Sequence, residues 1–215
     1  MRVAVAGAAG RMGQTVCSAV DGADDMELVG RADPALGVAV SDVLDADVLV
    51  DFSLGPHVVA NAKTATAAGV HVVIGATGWD EAELREAVSG ANVFAAPNFA
   101  IGAVLMMRFA TEASRHMQGA EIIEYHHPAK LDAPSGTAAR TAALMDGEVP
   151  IHSVRLPGIV ADQDVILGDT AQTLTIRHVT TDRPSFMPGV LLAIRRVAEL
   201  PESPLIGLER LLWPS

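Results

Sequence analysis

The chain has 215 residues, half of them hydrophobic and 19% charged, enough apolar material for one large domain or two small ones. Twenty-six acidic against 15 basic residues leave a formal net charge of −11, which argues against a nucleic-acid partner, and no apolar run has the length to span a membrane. Cys17 is the only cysteine, so an internal disulfide is impossible and a cytoplasmic setting is expected.

Aromatic residues make up only 4%, so the core must be built from Ala, Val, Leu and Ile. Val3–Ala6 is a short apolar run ending at Gly7, and the glycines after it continue into a helical pattern over Met12–Val20. This start reads as a first strand and not as a signal peptide. Strands are predicted at Met26–Ala32 and Val48–Phe52, then a helix at His57–Ala68 stopped by Gly69. A strand at Val70–Ile74, a helix at Asp80–Val88 and a short strand at Asn92–Ala95 follow. Strands separated by single helices imply right-handed crossovers and a parallel sheet, with ligands beyond the carboxyl ends of its strands.

The pattern then changes. A helix is predicted at Ile101–Met117, a strand at Ala120–His126, an irregular segment at His127–Gly136 and a helix at Thr137–Met145. Strand-like segments lie around His152–Leu156, Gln163–Leu167 and Thr173–Thr180, before a helix at Val190–Glu199 and a Pro-rich tail. The expected fold is α/β: a Rossmann-type parallel-sheet domain over residues 1–99 and 192–215, plus a smaller α+β domain with a mixed sheet over 100–191.

Gly7, Gly10 and Gly13 lie between the first strand and the first helix with G-x-x-G-x-x-G spacing. Such a loop permits a tight turn, close approach of backbone to a pyrophosphate, and close packing of helix on sheet. The helix start offers free N–H donors to phosphates, and Arg11 adds a cation. An ordinary strand-to-helix turn is the plainer reading. Asp33 lies 20 residues after Gly13 and suits an adenosine ribose hydroxyl, or else simply starts an Asp-Pro turn. Because Pro34 and not Arg follows it, NADH is favoured over NADPH unless Arg31 or Arg11 swings in.

The segment EYHHPAKLDAPSGTA is the most unusual. It holds one of only two lysines, Lys130, against 13 arginines in the chain; Arg cannot act as a proton donor near neutral pH, whereas Lys can. Adjacent histidines on an extended chain point to opposite sides, and no Cys or carboxylate spacing completes a set of ligands, so no metal is expected. An acid–base group beside an anion pocket suits the segment better, with His or Lys giving the proton. Ser135, Gly136 and Thr137 place N–H groups and a hydroxyl at a helix start, fit for a substrate carboxylate. A solvated loop with a Ser or Thr cap is the alternative.

Together GAAGRMG, DFS at Asp51–Ser53, GATG at Gly75–Gly78, APNFAIGA from Ala96 and EYHHPAKLDAPSGTA resemble the 4-hydroxy-tetrahydrodipicolinate (dihydrodipicolinate) reductase family, and VRLPGIV and DRPSFMPGVLLAIRR extend the resemblance nearly end to end. The resemblance implies an NAD(P)H-dependent oxidoreductase of the lysine pathway acting on a small dicarboxylate, a homotetramer built by the smaller domain. By position it implies that Gly7, Ala8, Ala9, Gly10, Arg11, Met12 and Asp33 hold the pyrophosphate and ribose. Gly75, Ala76 and Thr77 with Ala96, Pro97, Asn98 and Phe99 would line the nicotinamide end. His126 would exchange a proton, His127 contact substrate, Lys130 donate a proton and engage a carboxylate, and Gly136 with Thr137 bind the other carboxylate.

This chain departs from the family at Ala76, where Thr is frequent, and at Pro128 and Ala129, where basic residues are common. It is also short, near Ala32–Val48 and between Met145 and His152. Two rivals stand beside this reading: a dehydrogenase for another imino or oxo acid, and a non-catalytic NAD-sensing protein. Keeping both His126 and Lys130 argues against the sensor. Cys17, His57, His71, His116, His152 and His178 read as packing, surface or capping residues.

Overall fold

Runs of residues buried on both sides, such as Val3–Ala6 and Val48–Asp51, form strands only where helices cover both faces of a sheet. A computed structural model describes residues 1–214 of the chain. It divides into two compact units, one of residues 1–99 with the chain from Phe186 onward, the other of residues 100–185.

The first unit begins with β1 (Arg2–Ala6), α1 (Arg11–Asp21), β2 (Glu27–Ala32) and β3 (Val48–Asp51). It continues with α2 (Gly55–Ala67), β4 (His71–Ile74), α3 (Glu81–Ala87) and β5 (Val93–Ala95). Helix α2 starts two residues before the expected His57, because Pro56 fits the first turn, where a missing N–H costs nothing. Asp80 caps α3, its side chain accepting the Glu83 N–H at 2.9 Å. Between β2 and β3 the chain makes only two 3₁₀ turns, Pro34–Leu36 and Val40–Val43. Val43 fills the space over Gly30, where a Cβ would come within 2.6 Å of it, so a turn covers the sheet in place of a full helix. The shortness expected near Ala32–Val48 has this form.

The second unit runs α4 (Ile101–Ser114), β6 (Gly119–His126), α5 (Gly136–Leu144), β7 (Ile151–Arg155), β8 (Ala161–Asp169) and β9 (Gln172–Thr180). Helix α4 ends three residues before the expected Met117, where the His116 N–H folds back to the Ala113 carbonyl. The strand order is β7-β6-β8-β9, with β6 and β7 parallel and the other pairs antiparallel. This is the mixed sheet expected. Its helix-covered face carries Ile122, Val165 and Leu167, all buried, and the Gln163 side chain donates to Thr141 Oγ1 of α5 at 3.0 Å.

The chain then returns to the first unit as α6 (Met187–Arg196), β10 (Leu205–Ile206) and α7 (Glu209–Leu212). Helix α6 starts at Met187 and not at Val190, because Pro188 opens it, and the expected re-entry at residue 192 falls inside it. The Pro-rich tail holds β10, which pairs with β5 and completes a six-stranded parallel sheet of order β10-β5-β4-β3-β1-β2. Gly189 seats α6 against the end of β5, since a Cβ there would lie 2.1 Å from the Phe99 carbonyl oxygen.

Candidate active site

In the first unit the sequence forces a tight turn after β1. Gly7 has φ +73°, and a Cβ on it would meet the Phe52 carbonyl oxygen at 2.6 Å. A Cβ on Gly13 would stand 2.0 Å from the Gly7 carbonyl oxygen, so α1 packs against the loop only because residue 13 is glycine. Gly10 precedes α1 and no side chain caps the helix. The first N–H groups of α1, on Arg11 and Met12, are therefore left for an anion. Arg11 is exposed and has no carboxylate partner among the described residues.

Asp33 is half-buried at the end of β2, where its Oδ2 accepts the Ala9 N–H at 3.1 Å and its Oδ1 the Ala35 N–H at 2.8 Å. Asp33 thus starts the Asp-Pro turn, as one reading expected, and its other oxygen is tied to the glycine loop. Arg31 pairs instead with Asp21 at the end of α1, at 3.2 Å. Uncapped N–H donors, a cation and a carboxylate beside the glycine loop are the kinds of group a dinucleotide would need.

Beyond β3, β4 and β5 lie the other cofactor candidates. Asp51 is fully buried and accepts from the Ser53 N–H at 2.8 Å and from Asn61 Nδ2 at 3.0 Å, so the DFS motif fixes its own turn. The Phe52 ring fills the space over Gly75, where a Cβ would come within 2.1 Å of it. Phe52 and Phe99 pack with ring centroids 6.1 Å apart. Ala76 is tied by its carbonyl to Trp79 Nε1 at 2.8 Å, and Thr77 is exposed. Ala96 and Phe99 are buried, Pro97 is exposed and Asn98 half-buried.

In the second unit β6 alternates, so Ile122, Glu124 and His126 share the helix-covered face. Glu124 is fully buried. Arg155 of β7 grips it twice, Nη2 to Oε1 at 2.8 Å and Nη1 to Oε2 at 3.0 Å. His126 Nδ1 lies 2.5 Å from Glu124 Oε2. An ionised carboxylate only accepts, so Nδ1 carries the proton and Nε2 is the nitrogen left for chemistry. Burial pushes the Glu124 carboxyl up, but hydrogen bonds from Arg155, Ser153 and His126 prevail and hold it below its ordinary value. Burial lowers His126 from its ordinary value, Lys130 and Arg155 lower it further, and Glu124 opposes them.

After β6 the chain turns, with the Lys130 N–H donating to the His127 carbonyl at 3.1 Å. Lys130 Nζ donates to Asp132 Oδ1 at 2.8 Å, and Arg155 Nη2 holds the Asp132 carbonyl at 2.7 Å. Ser135 caps α5 by accepting the Ala138 N–H at 3.2 Å. Gly136 opens that helix, and a Cβ built on it would meet nothing within 4 Å. His127 is exposed. The second unit thus holds an imidazole backed by a carboxylate, a lysine that acts on it, and a helix start with open space at Gly136. Among the described residues no three His, Cys, Asp or Glu side chains gather as a metal would need.

The profile of the dihydrodipicolinate reductase N-terminus matches residues 1–99, and that of its C-terminus residues 102–212. The chain belongs to the dihydrodipicolinate reductase family. Curated relatives agree. The 4-hydroxy-tetrahydrodipicolinate reductase of Nocardia farcinica is 44% identical over 94% of each chain, and that of Thermobifida fusca 44% identical over 99% of each. The latter alignment runs over 245 positions, at least 30 more than the 215 residues here, so this reductase is short for its kin. A solved structure of a dipicolinate-bound dihydrodipicolinate reductase from Paenisporosarcina sp. TG-14 superposes with a TM-score of 0.85, at 33% identity and 98% coverage of both chains.

Reading the reductase's sequence alone gave no role to Glu124 or Arg155. A signal for Glu124 was present, because it keeps step with Ile122 and His126 and so had to face the core. Arg155 had none: it lies 31 residues from the carboxylate it grips.

Proposed function

We propose that this chain is the NAD(P)H-dependent enzyme that reduces 4-hydroxy-tetrahydrodipicolinate to tetrahydrodipicolinate, on the way to diaminopimelate and lysine. The observation that carries the reading is the His126–Glu124 pair at 2.5 Å, in the same unit as Lys130 and the open start of α5 at Gly136. The Paenisporosarcina relative is described as bound to dipicolinate, a planar ring with two carboxylates. Two carboxylates call for two binding groups, and Lys130 and the α5 start supply them.

Once the 4-hydroxyl and a neighbouring ring hydrogen have left as water, the ring is a conjugated cyclic imine, and a reduced nicotinamide, when bound, would supply a hydride to one of its carbons. The protein must then hold the ring and deliver a proton as charge develops. His126 gives that proton from Nε2, since Nδ1 is engaged by Glu124. Lys130 leaves Asp132 to engage one substrate carboxylate; the step needs a single proton, and Lys130 is its alternative source. Gly136 and Thr137 take the other carboxylate, and His127 contacts the substrate. Gly7, Ala8, Ala9, Gly10, Arg11 and Met12 hold the pyrophosphate, and Asp33 the ribose. Gly75, Ala76 and Thr77 with Ala96, Pro97, Asn98 and Phe99 line the nicotinamide end, Ala96 and Phe99 through their backbone because their side chains are buried.

NADH is the preferred cofactor and NADPH the poorer one. Asp33 opposes a 2′-phosphate, and Arg31, the cation two residues away, is committed to Asp21. The first unit is the dinucleotide-binding domain. The second binds substrate and builds a homotetramer, a role supported by the sheet face opposite α4 and α5, which carries Ile123, Tyr125, Ile166 and the exposed Val179. No helix among the described residues is long and apolar enough to cross a membrane, and the proposed setting is the cytoplasm.

The test is a coupled assay with purified protein. The preceding synthase makes substrate from pyruvate and aspartate semialdehyde, and absorbance of NADH or NADPH is followed. Oxidation that requires the synthase and runs faster with NADH is expected. NADPH preference overturns the cofactor reading alone, and absence of turnover with both overturns the function.

A further inference from the structure

The face of β6 that carries His126 also carries a second, deeper layer of charge that the proposed chemistry does not use. Glu124 has no exposed surface, yet it is an ionised carboxylate surrounded by donors: Arg155 at 2.8 and 3.0 Å and His126 at 2.5 Å. Burying a carboxylate costs several kcal/mol unless it is paired and hydrogen-bonded, so an apolar residue in step with Ile122 would serve the core more simply. Arg155 uses a further donor on the Asp132 carbonyl at 2.7 Å, in the loop that presents Lys130. One guanidinium therefore holds both the carboxylate behind His126 and the loop of Lys130.

We propose that Glu124 and Arg155 are positioning residues of the reaction, Glu124 fixing the His126 imidazole as its Nδ1–H tautomer with Nε2 toward substrate, and Arg155 neutralising Glu124 and anchoring the Lys130 loop. The inference rests on the assignment of His126 as proton donor. Its physical core is a division of labour. A bare carboxylate at Nδ1 would orient the ring but also hold its proton too tightly; the bidentate guanidinium leaves the orientation and removes much of that hold. The charged groups acting on His126 are Glu124 on its own strand, Arg155 on β7, and Lys130 and Asp132, paired with each other, in the loop.

The two residues push the ring in opposite directions, which a purely structural pair would not do. A proton donor works only while protonated, so activity falls as pH rises through its pKa. Glu124→Gln removes the anion and moves this alkaline limb of the kcat profile to lower pH. Arg155→Met bares the anion and moves the limb to higher pH, whereas Arg155→Lys keeps a charge and leaves it near wild type. Both Glu124→Gln and Arg155→Met lower kcat, by up to the roughly 10²- to 10⁴-fold that general acid catalysis supplies, with less change in substrate KM.

A second measurement does not depend on turnover. Ring ¹⁵N–¹H correlation spectra of the full chain, with His126 assigned by its loss in His126→Gln, report the tautomer and its titration directly. The Nδ1–H form is expected in wild type, with its titration shifted down in Glu124→Gln and up in Arg155→Met. An Nε2–H tautomer in wild type, or shifts of the same sign in the two variants, overturns the proposal. If Glu124→Gln fails to fold, the wild-type tautomer and the Arg155→Met and Arg155→Lys pair still decide it. A wild-type protein with the expected imidazole behaviour but no reductase activity would instead sink the proposed function and leave the pair standing.

Discussion

Asp33 accepts the Ala9 N–H through Oδ2 at 3.1 Å, tying the end of β2 to the glycine loop 24 residues earlier. Its other oxygen is held by Ala35. The carboxylate is thus held by two backbone N–H groups, and under the proposed function its charge would face the substituent on the ribose. Asp33→Asn removes that charge while keeping one acceptor. The expected outcome is a move of the NADH-to-NADPH ratio of kcat/KM toward NADPH by about tenfold, the size of one charge-assisted hydrogen bond. Steady-state kinetics with both cofactors checks it, and an unchanged ratio removes Asp33 from the ribose.

Lys130 and Lys63 offer an internal control, since they are the only two lysines. Lys130 is mostly buried and held by Asp132, whereas Lys63 is exposed on α2. Lys130→Ala is expected to lower kcat/KM by about 10²-fold or more. Lys63→Ala should change it by no more than about twofold, as surface substitutions do. Equal small effects would take Lys130 out of the site.

Two glycines make a second contrast. A Cβ at residue 13 meets a backbone oxygen at 2.0 Å, while one at residue 136 meets open space. Gly13→Ala should cost roughly 1–3 kcal/mol in strain, lowering Tm by about 2–4 °C for each kcal/mol, and should weaken NADH binding. Gly136→Ala should leave Tm unchanged and raise KM for substrate, because the methyl group occupies the carboxylate cradle. Calorimetry beside kinetics separates the two, and a Tm loss at Gly136 would refute the contrast.

Asp25 and Arg195 link the turn after α1 to α6 through two hydrogen bonds, at 2.7 and 2.8 Å. The Arg195 guanidinium holds the Asp25 carboxyl down to about 2, from an ordinary value of 3.8. A carboxyl depressed by folding stabilises above its unfolded value and stops doing so as pH falls through its folded value. Wild type should therefore exceed Asp25→Asn in Tm at neutral pH, with the gap closing between about pH 4 and pH 2. A gap independent of pH over that window would contradict the linkage.

Much of the fold was legible because its central strands are buried on both faces. Val3–Ala6, Val48–Asp51 and His71–Ile74 are near-continuous apolar runs that only a covered parallel sheet accommodates. Strand β10 was not legible: two residues, Leu205 and Ile206, carry no period, and their strand exists only because the β5 edge is there to pair with. The site divides in the same way. Gly7, Gly13 and the His126–Thr137 segment announce themselves by local chemistry. The grip of Arg155 on Glu124 is a contact across strands, and nothing in the neighbourhood of either residue names the other.

The late return of the chain to its first sheet sets an order for folding during synthesis. When residue 99 has been made, β5 still lacks its neighbour β10, and the Phe99 carbonyl still lacks the helix that Gly189 seats upon it. Every strand and helix of the second unit is complete by residue 185, so the later-coded unit is the first able to close. Until Leu205 and Ile206 emerge, the nascent protein carries an open parallel edge at Val93–Ala95, the kind of edge that invites pairing with another chain. Messages truncated before those codons should therefore yield a first unit prone to aggregate, though every glycine of the loop after β1 is present.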